Sequence, residues 1–401
     1  MRRDARREFA MWGTDRRHVR IVHEGIATKD RRRVSSQMAF LPLAEPWIDA
    51  DCAQAVAKQV ASGFLGPGET TATFARRLAG LTGTQHCVPT TSGTIALTVA
   101  AKALDLKPGD EILLPAYGVI STINAFASFG YAPRLVDIDP ATACLDPAAL
   151  DSRLTARTKA VCFVDFSGHT GAPLLETAEF CRRKGLPLIE DAACALGHRY
   201  RGKSSGSFGI VGCLSFSVPK IVTTGQGGAL VTHDRSVADR ANAFIDHGDL
   251  EWRRTNLTHG IGTNLRFNDV LASLGLAQLN TLETRLKQKR QSYLALRDEL
   301  DGYLYSVPGN EAPLHYIVFS DEPTTLVQSL RAQQIGATIP YCFLAEHPPY
   351  AHLDDGDFLG ARSWAHSAVY LPFGLALAED DARRIGRAVR KSGVPIKRWP
   401  G

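Results

Sequence analysis

Three short segments of the chain carry residues whose types and spacing could hold a phosphate and react with a carbonyl compound. In the first, Thr90-Thr91-Ser92-Gly93-Thr94 precedes an apolar run that begins at Ile95, so small hydroxyl residues and a glycine begin a predicted helix. Free backbone amides and the positive end of the helix dipole then face one point, which is typical of an anion site. Simple capping of the helix by Ser92 or Thr94 is the alternative interpretation.

The second segment, Leu186-Pro187-Leu188-Ile189-Glu190-Asp191, is a short apolar run that ends in carboxylates. A carboxylate directly after an apolar strand lies at the carboxyl end of that strand, where ligands bind in parallel sheets. A buried Asp also needs a cation or hydrogen-bond donors, because an unpaired buried charge is costly. Asp191 is therefore a candidate partner for a cationic group of a ligand, and a helix N-cap is the alternative.

The third segment places Lys220 after Val218-Pro219 and shortly before the turn Gly225-Gln226-Gly227-Gly228. A lysine held in an apolar, proline-constrained place is desolvated, and a desolvated amine is a competent nucleophile toward a carbonyl group. Ser215, which precedes Lys220 in the same segment, offers a further hydroxyl donor for a phosphate. An ordinary surface lysine is the alternative, and the glycine run alone is a weak signal because glycines also simply turn chains.

A fourth polar cluster, Asn264-Leu265-Arg266-Phe267-Asn268-Asp269, stands ahead of a long predicted helix. It could bind an anion, but capping of that helix by Asn268 or Asp269 is the simpler interpretation. Roles for Asn264 and Arg266 do not follow from spacing alone.

Alternating apolar runs and helical patterns between residues 85 and 232 predict a mainly parallel sheet that is covered by helices on both faces. The strand candidates are Glu111–Pro115, Arg134–Ile138, Ala160–Phe166, Leu186–Ile189, Leu214–Ser217 and Ala229–Thr232, with helices near 94–105, 120–129, 147–154 and 174–184. Residues 235–300 are predicted to be mostly helical, and the stretch from Asn268 to Leu300 keeps helical leucine spacing without a proline. The last hundred residues predict a small α/β domain with strands at His315–Phe319 and Val369–Leu371 and helices near 323–333 and 379–391.

The composition of the 401-residue chain, 44% hydrophobic and 22% charged, excludes a disordered or collagen-like protein and allows two domains. Residues 1–33 carry a net charge of +6 and the remainder a net charge of −1, so a nucleic-acid partner is not expected for the folded body. We expect residues 1–37 to form a basic, disordered extension, with Met38 as the preferred alternative start. Residues 38–250 would form the large domain, and residues 251–401 the linking helix and the small domain.

The eight cysteines show no C-x-x-C spacing, which argues against a zinc ribbon or a redox pair and favours a reducing, cytoplasmic compartment. No metal site is expected. No apolar stretch approaches the length of a membrane-spanning helix, and no apolar segment follows the N-terminal arginines as it does in a secretory signal. We therefore expect no membrane partner.

Together, a helix-end phosphate site, a strand-end carboxylate and an activated lysine on a parallel sheet are the groups that pyridoxal 5'-phosphate (PLP) requires. The lysine would bind the carbonyl of the cofactor, the carboxylate would keep its ring nitrogen protonated, and the helix end and Ser215 would hold its phosphate.

With these motifs, the sequence resembles the DegT/StrS family of PLP-dependent aminotransferases, which act mainly on nucleotide-linked keto sugars. The likeness runs from about Leu41 to Arg390 and includes the ordered motifs Pro42-Leu43-Ala44-Glu45-Pro46, Ser62-Gly63-Phe64-Leu65, Ser92-Gly93-Thr94, Pro108-Gly109-Asp110-Glu111-Ile112, Glu190-Asp191-Ala192-Ala193, Ser215-Phe216, Lys220, Gly225-Gln226-Gly227-Gly228, His247-Gly248 and Asn264-Leu265-Arg266. The resemblance implies an α/β PLP-dependent transferase of fold type I. Such a protein has a large domain with a mainly parallel sheet and a smaller C-terminal α/β domain, and it works as a homodimer with active sites at the subunit interface.

The resemblance also implies roles for individual residues. Lys220 would form the Schiff base with the cofactor, and Asp191 would pair with the ring nitrogen. The phosphate would be held by Gly93, Thr94 and Ser215, and by Asn264 from the neighbouring subunit. The candidates for the substrate pocket are Arg266, Tyr341, His347 and Tyr350.

Several residues depart from the pattern of the family. Cys194 stands where Gln or His usually contacts the ring oxygen of the cofactor, and Val119 stands where an aromatic ring usually covers the pyridine face, so that stacking would fall to Tyr117 or be lost. The remaining departures, next to the lysine and in the glycine turn, are Pro219, Ile221 and Gln226. These departures leave the core chemistry in place but put the substrate in doubt.

The expected function is transfer of an amino group from L-glutamate or L-glutamine to a keto sugar, an NDP-4-keto-6-deoxyhexose, as in perosamine synthesis. Lys220 favours transamination over dehydration, since sugar dehydratases of the same fold carry His in its place. Two alternatives stay open: a keto-cyclitol aminotransferase of aminoglycoside-type biosynthesis, and a PLP-binding regulatory protein without turnover.

Overall fold

A seven-stranded sheet forms the centre of the computed structural model, which describes residues 39–310 and 312–398. The expectation for residues 1–37 lies outside the described residues. The strands of the large domain are β1 His86–Thr90, β2 Glu111–Pro115, β3 Ala132–Val136, β4 Thr158–Val164, β5 Leu188–Asp191, β6 Arg199–Tyr200, β7 Lys203–Ser204, β8 Val211–Ser215 and β9 Gly228–Thr232. The spatial order in the main sheet is β1-β9-β8-β5-β4-β2-β3, and β6 and β7 form a separate two-stranded ribbon.

The sheet is mainly parallel, as the sequence predicts. Strands β3, β2, β4, β5 and β8 pair in parallel, whereas β9 runs antiparallel to both of its neighbours, β8 and β1. Every residue of β2, β5 and β9 is buried, including the carboxylates Glu111, Glu190 and Asp191, as expected for strands covered on both faces. Because parallel strands end at a common edge, the residues that end β4, β5 and β8 lie side by side.

Helices cover the sheet and build the small domain. In chain order they are α1 Ala50–Ala61, α2 Glu69–Thr82, α3 Gly93–Ala103, α4 Ile120–Ala127, α5 Leu150–Arg153, α6 Ala172–Lys184, α7 Arg235–Ile245, α8 Trp252–Thr255, α9 Asp269–Leu279, α10 Leu282–Glu299, α11 Pro323–Ala332, α12 Leu359–Ser367 and α13 Glu379–Lys391. Short 3₁₀ helices lie at Pro147–Ala149, Phe166–Gly168, Leu344–Glu346 and Pro348–Leu353. None of the helices in the described ranges is long and apolar enough to span a bilayer.

The small domain contains a two-stranded antiparallel sheet of β10, Tyr316–Phe319, and β11, Ala368–Leu371. Its apolar residues continue without a break into the core of the large domain. An aromatic cluster lies at this junction: the ring of Trp364 is 5.6 Å from that of Tyr117 and 5.4 Å from that of Phe166. The two domains therefore share one hydrophobic core beside the carboxyl edge of the sheet.

The structure corrects several predicted elements. The stretch from Asn268 to Leu300 is not one helix but two, α9 and α10, which separate at Asn280-Thr281. The break lets α9 pack against α1 and α2 while α10 packs against α13. Strands β3 and β4 begin and end two residues earlier than the predicted Arg134–Ile138 and Ala160–Phe166.

Strand β1 was not predicted, because Pro89 interrupts its short apolar pattern. The strand lies at the edge of the sheet, which is the position where proline is tolerated since one side of the strand donates no ladder hydrogen bond. The domain limit predicted at residue 250 stays a prediction.

Candidate active site

Lys220 lies in the turn that follows β8, and its amine points at a cysteine. Its backbone amide donates to the carbonyl of Ser217 over 3.0 Å. Gln278 fixes the following residues, because it accepts from the amide of Thr223 at 2.9 Å and donates to the carbonyl of Thr223 at 2.5 Å. Nζ of Lys220 donates to Sγ of Cys194 over 3.2 Å. The structure therefore brings these two predicted site residues into contact.

Asp191 ends β5 and is only 4% exposed. Its Oδ2 accepts from the hydroxyl of Thr122 at 3.0 Å, and its Oδ1 accepts from the amide of Ala193 at 3.2 Å. Burial raises the pKa of Asp191, while the Ala193 amide, the Thr122 hydroxyl and the charge of Lys220 lower it. A cation bound against this carboxylate would compensate its burial further.

Ser92 caps α3, since its Oγ accepts from the amide of Ile95 at 3.2 Å. The capping predicted for this residue is thus present, but the amides of Gly93 and Thr94, in the first turn of the helix, have no intrahelical acceptor. A Cβ atom on Gly93 would lie 2.8 Å from Cβ of Ser215, so the helix begins directly against the end of β8. The helix amides and the Ser215 hydroxyl therefore lie at one place.

The glycine turn after Lys220 also has a packing role. A Cβ atom on Gly228 would lie 2.4 Å from the carbonyl carbon of Ser92 and 2.5 Å from the amide nitrogen of Gly93. Only a glycine lets β9 pass this close to the backbone at the start of α3. In the sequence, the glycine run was only a weak signal. The structure shows that Gly228 is needed for the close packing of β9 against the start of α3, and not only for a turn.

Val119 is exposed at the protein surface, whereas Tyr117 is buried. Val119 precedes α4 and is 38% exposed, whereas Tyr117 is 1% exposed and packs against Phe166, Tyr341 and Trp364. The ring of Tyr117 has no open face, because the small domain covers it. The expectation that Tyr117 takes over stacking on a ligand is therefore not supported, whereas the side chain of Val119 is accessible.

Tyr341 comes from the small domain and lies near the same edge of the sheet. Its ring is 5.9 Å from that of Tyr117, it packs against the same hydrophobic core as Cys194, and burial raises the pKa of its hydroxyl. The structure therefore brings Tyr341 to the predicted site.

The other two candidates of that segment lie around its 3₁₀ turns. Nε2 of His347 is 3.1 Å from Sγ of Cys342, and the hydroxyl of Tyr350 donates to Oδ1 of Asn124 on α4 over 2.5 Å. Tyr350 thus joins the small domain to the helix that begins beside Val119.

Asn264 and Arg266 interact with each other rather than with Lys220. Nε of Arg266 donates to Oδ1 of Asn264 at 3.0 Å, and its Nη1 is 2.9 Å from Oδ1 of Asp246. The backbone of Arg266 pairs with Thr90 at the end of β1, close to Ser92. The predicted contact of Asn264 with a phosphate in the neighbouring subunit stays a prediction.

Sequence reasoning missed two polar features of the site. One is Thr122, whose position in the first turn of α4 gives no signal until β5 is placed beside it. The other is the fully buried carboxyl group of Asp165 after β4, which interacts with the equally buried Glu190 of the Glu190-Asp191 motif in β5. Glu190 accepts from the amides of Gly206 and Phe208, and burial together with the charge of Glu190 raises the pKa of Asp165 well above its usual range.

As a whole, the site offers an amine that can bind a carbonyl, a buried carboxylate for a cationic ring N–H, and amide and hydroxyl donors for a phosphate. Within the described ranges, no three His, Cys, Asp or Glu side chains are grouped so that they could hold a metal ion. All eight cysteines are described, and none forms a disulfide.

Comparison with known proteins agrees with this arrangement. GDP-perosamine synthase of Caulobacter vibrioides is 32% identical over 78% of this chain and 87% of its own length. L-glutamine:scyllo-inosose aminotransferase of Streptomyces griseus is 34% identical over 61% of this chain and 60% of its own length. The crystal structure of the aminotransferase TlmJ from Streptoalloteichus hindustanus superposes with a TM-score of 0.82 at 29% identity and covers 88% of this chain and 99% of that chain.

The family model of the DegT/DnrJ/EryC1/StrS aminotransferases matches residues 46–390, nearly all of the body that the sequence motifs span. Fold, site and match agree, and they confirm the resemblance and the fold class predicted from the motifs. The match also favours an enzyme over the regulatory protein without turnover. The chain belongs to the DegT/DnrJ/EryC1/StrS aminotransferase family, whose members are PLP-dependent aminotransferases of fold type I.

Proposed function

We propose that the chain binds PLP at Lys220 and moves an amino group from L-glutamate or L-glutamine to a nucleotide-linked keto sugar, an NDP-4-keto-6-deoxyhexose. The observation that carries this proposal is the position of the Lys220 amine, 3.2 Å from Sγ of Cys194, near the edge of the sheet where the buried carboxylate of Asp191 ends β5. An amine and a buried carboxylate at the carboxyl edge of a parallel sheet are what the cofactor needs at its carbonyl group and at its ring nitrogen.

The residues present fit PLP. Gly93 lies directly against Ser215, since an added Cβ atom would be 2.8 Å from Cβ and 3.1 Å from Oγ of Ser215, so the free helix amides and the serine hydroxyl are close enough to bind one phosphate. When bound, PLP supplies a carbonyl that accepts an amino group and a ring that accepts electrons. Gly93, Thr94 and Ser215 hold the phosphate, Asp191 pairs with the ring nitrogen, and Val119 and Cys194 border the ring.

Lys220 has two tasks in this proposal. Its amine holds the carbonyl of the cofactor until an amino donor displaces it, and the freed amine then carries a proton between the substrate carbon and the cofactor. Cys194 lies beside Nζ and limits where the freed amine can move. Asp191, fixed by Thr122 and Ala193, keeps its negative charge directed at one point throughout.

A keto sugar is favoured as the acceptor by the extent of the likeness to relatives. The GDP-perosamine synthase is matched over 87% of its length, whereas the inosose aminotransferase is matched over 60%. A keto-cyclitol acceptor is the second candidate, because relatives of both kinds reach similar identity.

The acceptor is tested by supplying purified protein with PLP, L-glutamate or L-glutamine, and one ketone at a time. Formation of an amino sugar from an NDP-4-keto-6-deoxyhexose, with no product from a keto-cyclitol, supports the proposal. Product from the keto-cyclitol alone would replace it with the second candidate.

We further propose a homodimer with shared sites, located in the cytoplasm. Several large apolar side chains are open to solvent, among them Phe64 at 77%, Leu257 at 64% and Ile261 at 97% exposure, and such residues are typical of a subunit interface. Eight free thiols suit a reducing compartment. Mixing inactive Lys220→Ala and Asn264→Ala subunits tests the shared site, since only a mixed dimer regains one intact site.

A further inference from the structure

Three side chains of the aromatic cluster at the junction of the two domains each have a buried polar atom without a hydrogen-bond partner. These atoms are the hydroxyls of Tyr117 and Tyr370 and Nδ1 of His315. The three residues are 1%, 2% and 5% exposed, so bulk solvent does not reach them. Buried polar groups in folded proteins nearly always have a partner, which is another protein group or an ordered water.

The three side chains surround one small region. The rings of His315 and Tyr370 are 4.7 Å apart, that of Tyr341 is 5.7 Å from Tyr370, and that of Tyr117 is 5.9 Å from Tyr341. They come from different parts of the chain: Tyr117 follows β2, His315 precedes β10, and Tyr370 lies in β11. Three unpartnered groups from separate elements within one aromatic cluster are more simply explained by one missing partner than by three independent defects.

This region adjoins the active site through Cys194. Cys194 and Tyr341 pack against the hydrophobic core that contains Tyr117 and Tyr370. Burial raises the pKa of Tyr370 well above its usual range and lowers that of His315, so both side chains are uncharged. The side chain of Cys194 is shorter than the Gln or His that the family resemblance leads one to expect at this position.

We propose that Tyr117, His315 and Tyr370 enclose a water-binding site beside Cys194, and that water there takes the place of a longer side chain at position 194. A bound water makes two to four hydrogen bonds, and two hydroxyls and an imidazole nitrogen supply three. Because the enclosing side chains carry no formal charge, the ligand is water rather than an ion. When PLP is bound at Lys220, this water would be the hydrogen-bond donor that faces the ring oxygen of the cofactor. That consequence rests on the proposed function, whereas the water site itself does not.

The stability of the holoenzyme separates a hydrated site from a dry one. If water is bound, Tyr370→Phe removes a real hydrogen bond, and we expect the Tm to fall by about 1–3 °C. Tyr305→Phe is the matched control, since Tyr305 lies in the same aromatic cluster but donates to the carbonyl of Thr142 at 2.7 Å. The two variants should lose similar stability. A rise in Tm for Tyr370→Phe would overturn the proposal, because removal of an unpartnered buried hydroxyl stabilises a dry core.

A second variant tests the link to Cys194. Cys194→Gln places an amide where the water is proposed to lie, so in that background Tyr370→Phe should no longer lower the Tm in the same way. If Tyr370→Phe lowers the Tm equally in the parent protein and in Cys194→Gln, the water site is independent of position 194, and the proposed replacement of a longer side chain by water is contradicted. A crystal structure of the holoenzyme provides the direct check: water density within hydrogen-bond distance of at least two of the three atoms supports the site, and its absence overturns it.

A spectroscopic signature tests the consequence for the cofactor. Tyr370→Phe is expected to shift the visible absorbance band of the holoenzyme, whereas Tyr305→Phe is expected to leave it in place. If both variants leave the band unchanged while the Tm results hold, the water site stands and its contact with the cofactor is refuted. If the protein shows no visible band with PLP at all, the proposed function fails instead, and the Tm and density results still decide the water site.

Discussion

The hydroxyl of Thr122 donates a hydrogen bond to Oδ2 of Asp191 over 3.0 Å and so ties the first turn of α4 to the end of β5. The other oxygen of Asp191 accepts from the amide of Ala193. With both oxygens held, the carboxylate has one orientation before any ligand arrives. Such fixed dipoles cost no reorganisation during a reaction, which is why they are effective in catalysis.

Replacement of Thr122 by Val should therefore lower kcat/KM by about 10- to 100-fold, which corresponds to the loss of a hydrogen bond to a charged group. The fold should persist, since valine has nearly the shape of threonine. Thr122→Ser keeps the hydroxyl and should retain most of the activity. Equal activity of the Val and Ser variants would show that this hydrogen bond does not support Asp191.

Gly93 packs so closely against Ser215 that no space is left for a methyl group. In Gly93→Ala the new Cβ would lie 2.8 Å from Cβ of Ser215, so either the helix start or the strand end must shift. We expect affinity for PLP to fall by about 10-fold or more, as overpacking of a tight site costs about 1–3 kcal/mol. Fluorescence or absorbance titration with PLP measures the change.

Gly80→Ala is the control for this substitution. Gly80 lies inside α2 with nothing within 4 Å of its added Cβ, so the change should leave PLP affinity unaltered and raise stability by about 0.5–1 kcal/mol. A loss of affinity in both variants would point to a general effect of glycine replacement and remove Gly93 from the phosphate site.

Stability should fall in mild acid because of His169. Burial lowers the pKa of this side chain to about 4 in the folded chain, from an ordinary value of 6.5. Between these two values the unfolded chain binds a proton that the folded chain does not, so the stabilisation is complete above pH 6.5 and is lost as the pH falls toward 4. The loss reaches at most about 3 kcal/mol.

Denaturant unfolding at several pH values checks this expectation. His169→Gln should reduce the dependence of the unfolding free energy on pH between 6.5 and 4, and the remaining dependence is expected from His198, whose pKa burial also lowers to about 4. Replacement of the exposed His233 by Gln is the comparison and should leave the curve as it is. An identical slope for His169→Gln and the parent protein would assign the acid sensitivity to other groups.

The sequence predicted the elements whose patterns are local. The apolar strands from Glu111 to Thr232 and the phosphate-site helix at Gly93 appear in the expected order, because continuous burial leaves a clear mark on composition. The separation of α9 from α10 at Asn280-Thr281 left no such mark, since it depends on which neighbours each helix packs against. Strand β1 was hidden by Pro89, which is tolerated only because the strand lies at an edge.

The residues of the candidate site likewise divide into those that local motifs predict and those that depend on packing between distant segments. Lys220, Asp191 and Ser215 could be named from motifs, and the structure places the amine of Lys220 near the buried carboxylate of Asp191. Thr122 could not be named, because its contact joins residues 69 positions apart. The burial of Tyr117 also escaped the sequence, as it results from docking of the small domain.

Lys220→Ala should retain PLP or its amine form and lose at least about 1000-fold in turnover, as expected when the proton carrier and the attachment point are removed together. Bound cofactor is measured by absorbance after gel filtration, and turnover by amino-group transfer to a ketone. Turnover near that of the parent protein would remove Lys220 from the mechanism.

The most direct test is the absorbance spectrum of the purified protein with PLP, before and after addition of L-glutamate or L-glutamine. If Lys220 holds the cofactor in a working transaminase, a visible band is present at the start. On addition of the donor, this band gives way to the shorter-wavelength band of the amine form. A protein that shows no visible band, or whose band ignores both donors, would contradict the proposed chemistry at Lys220.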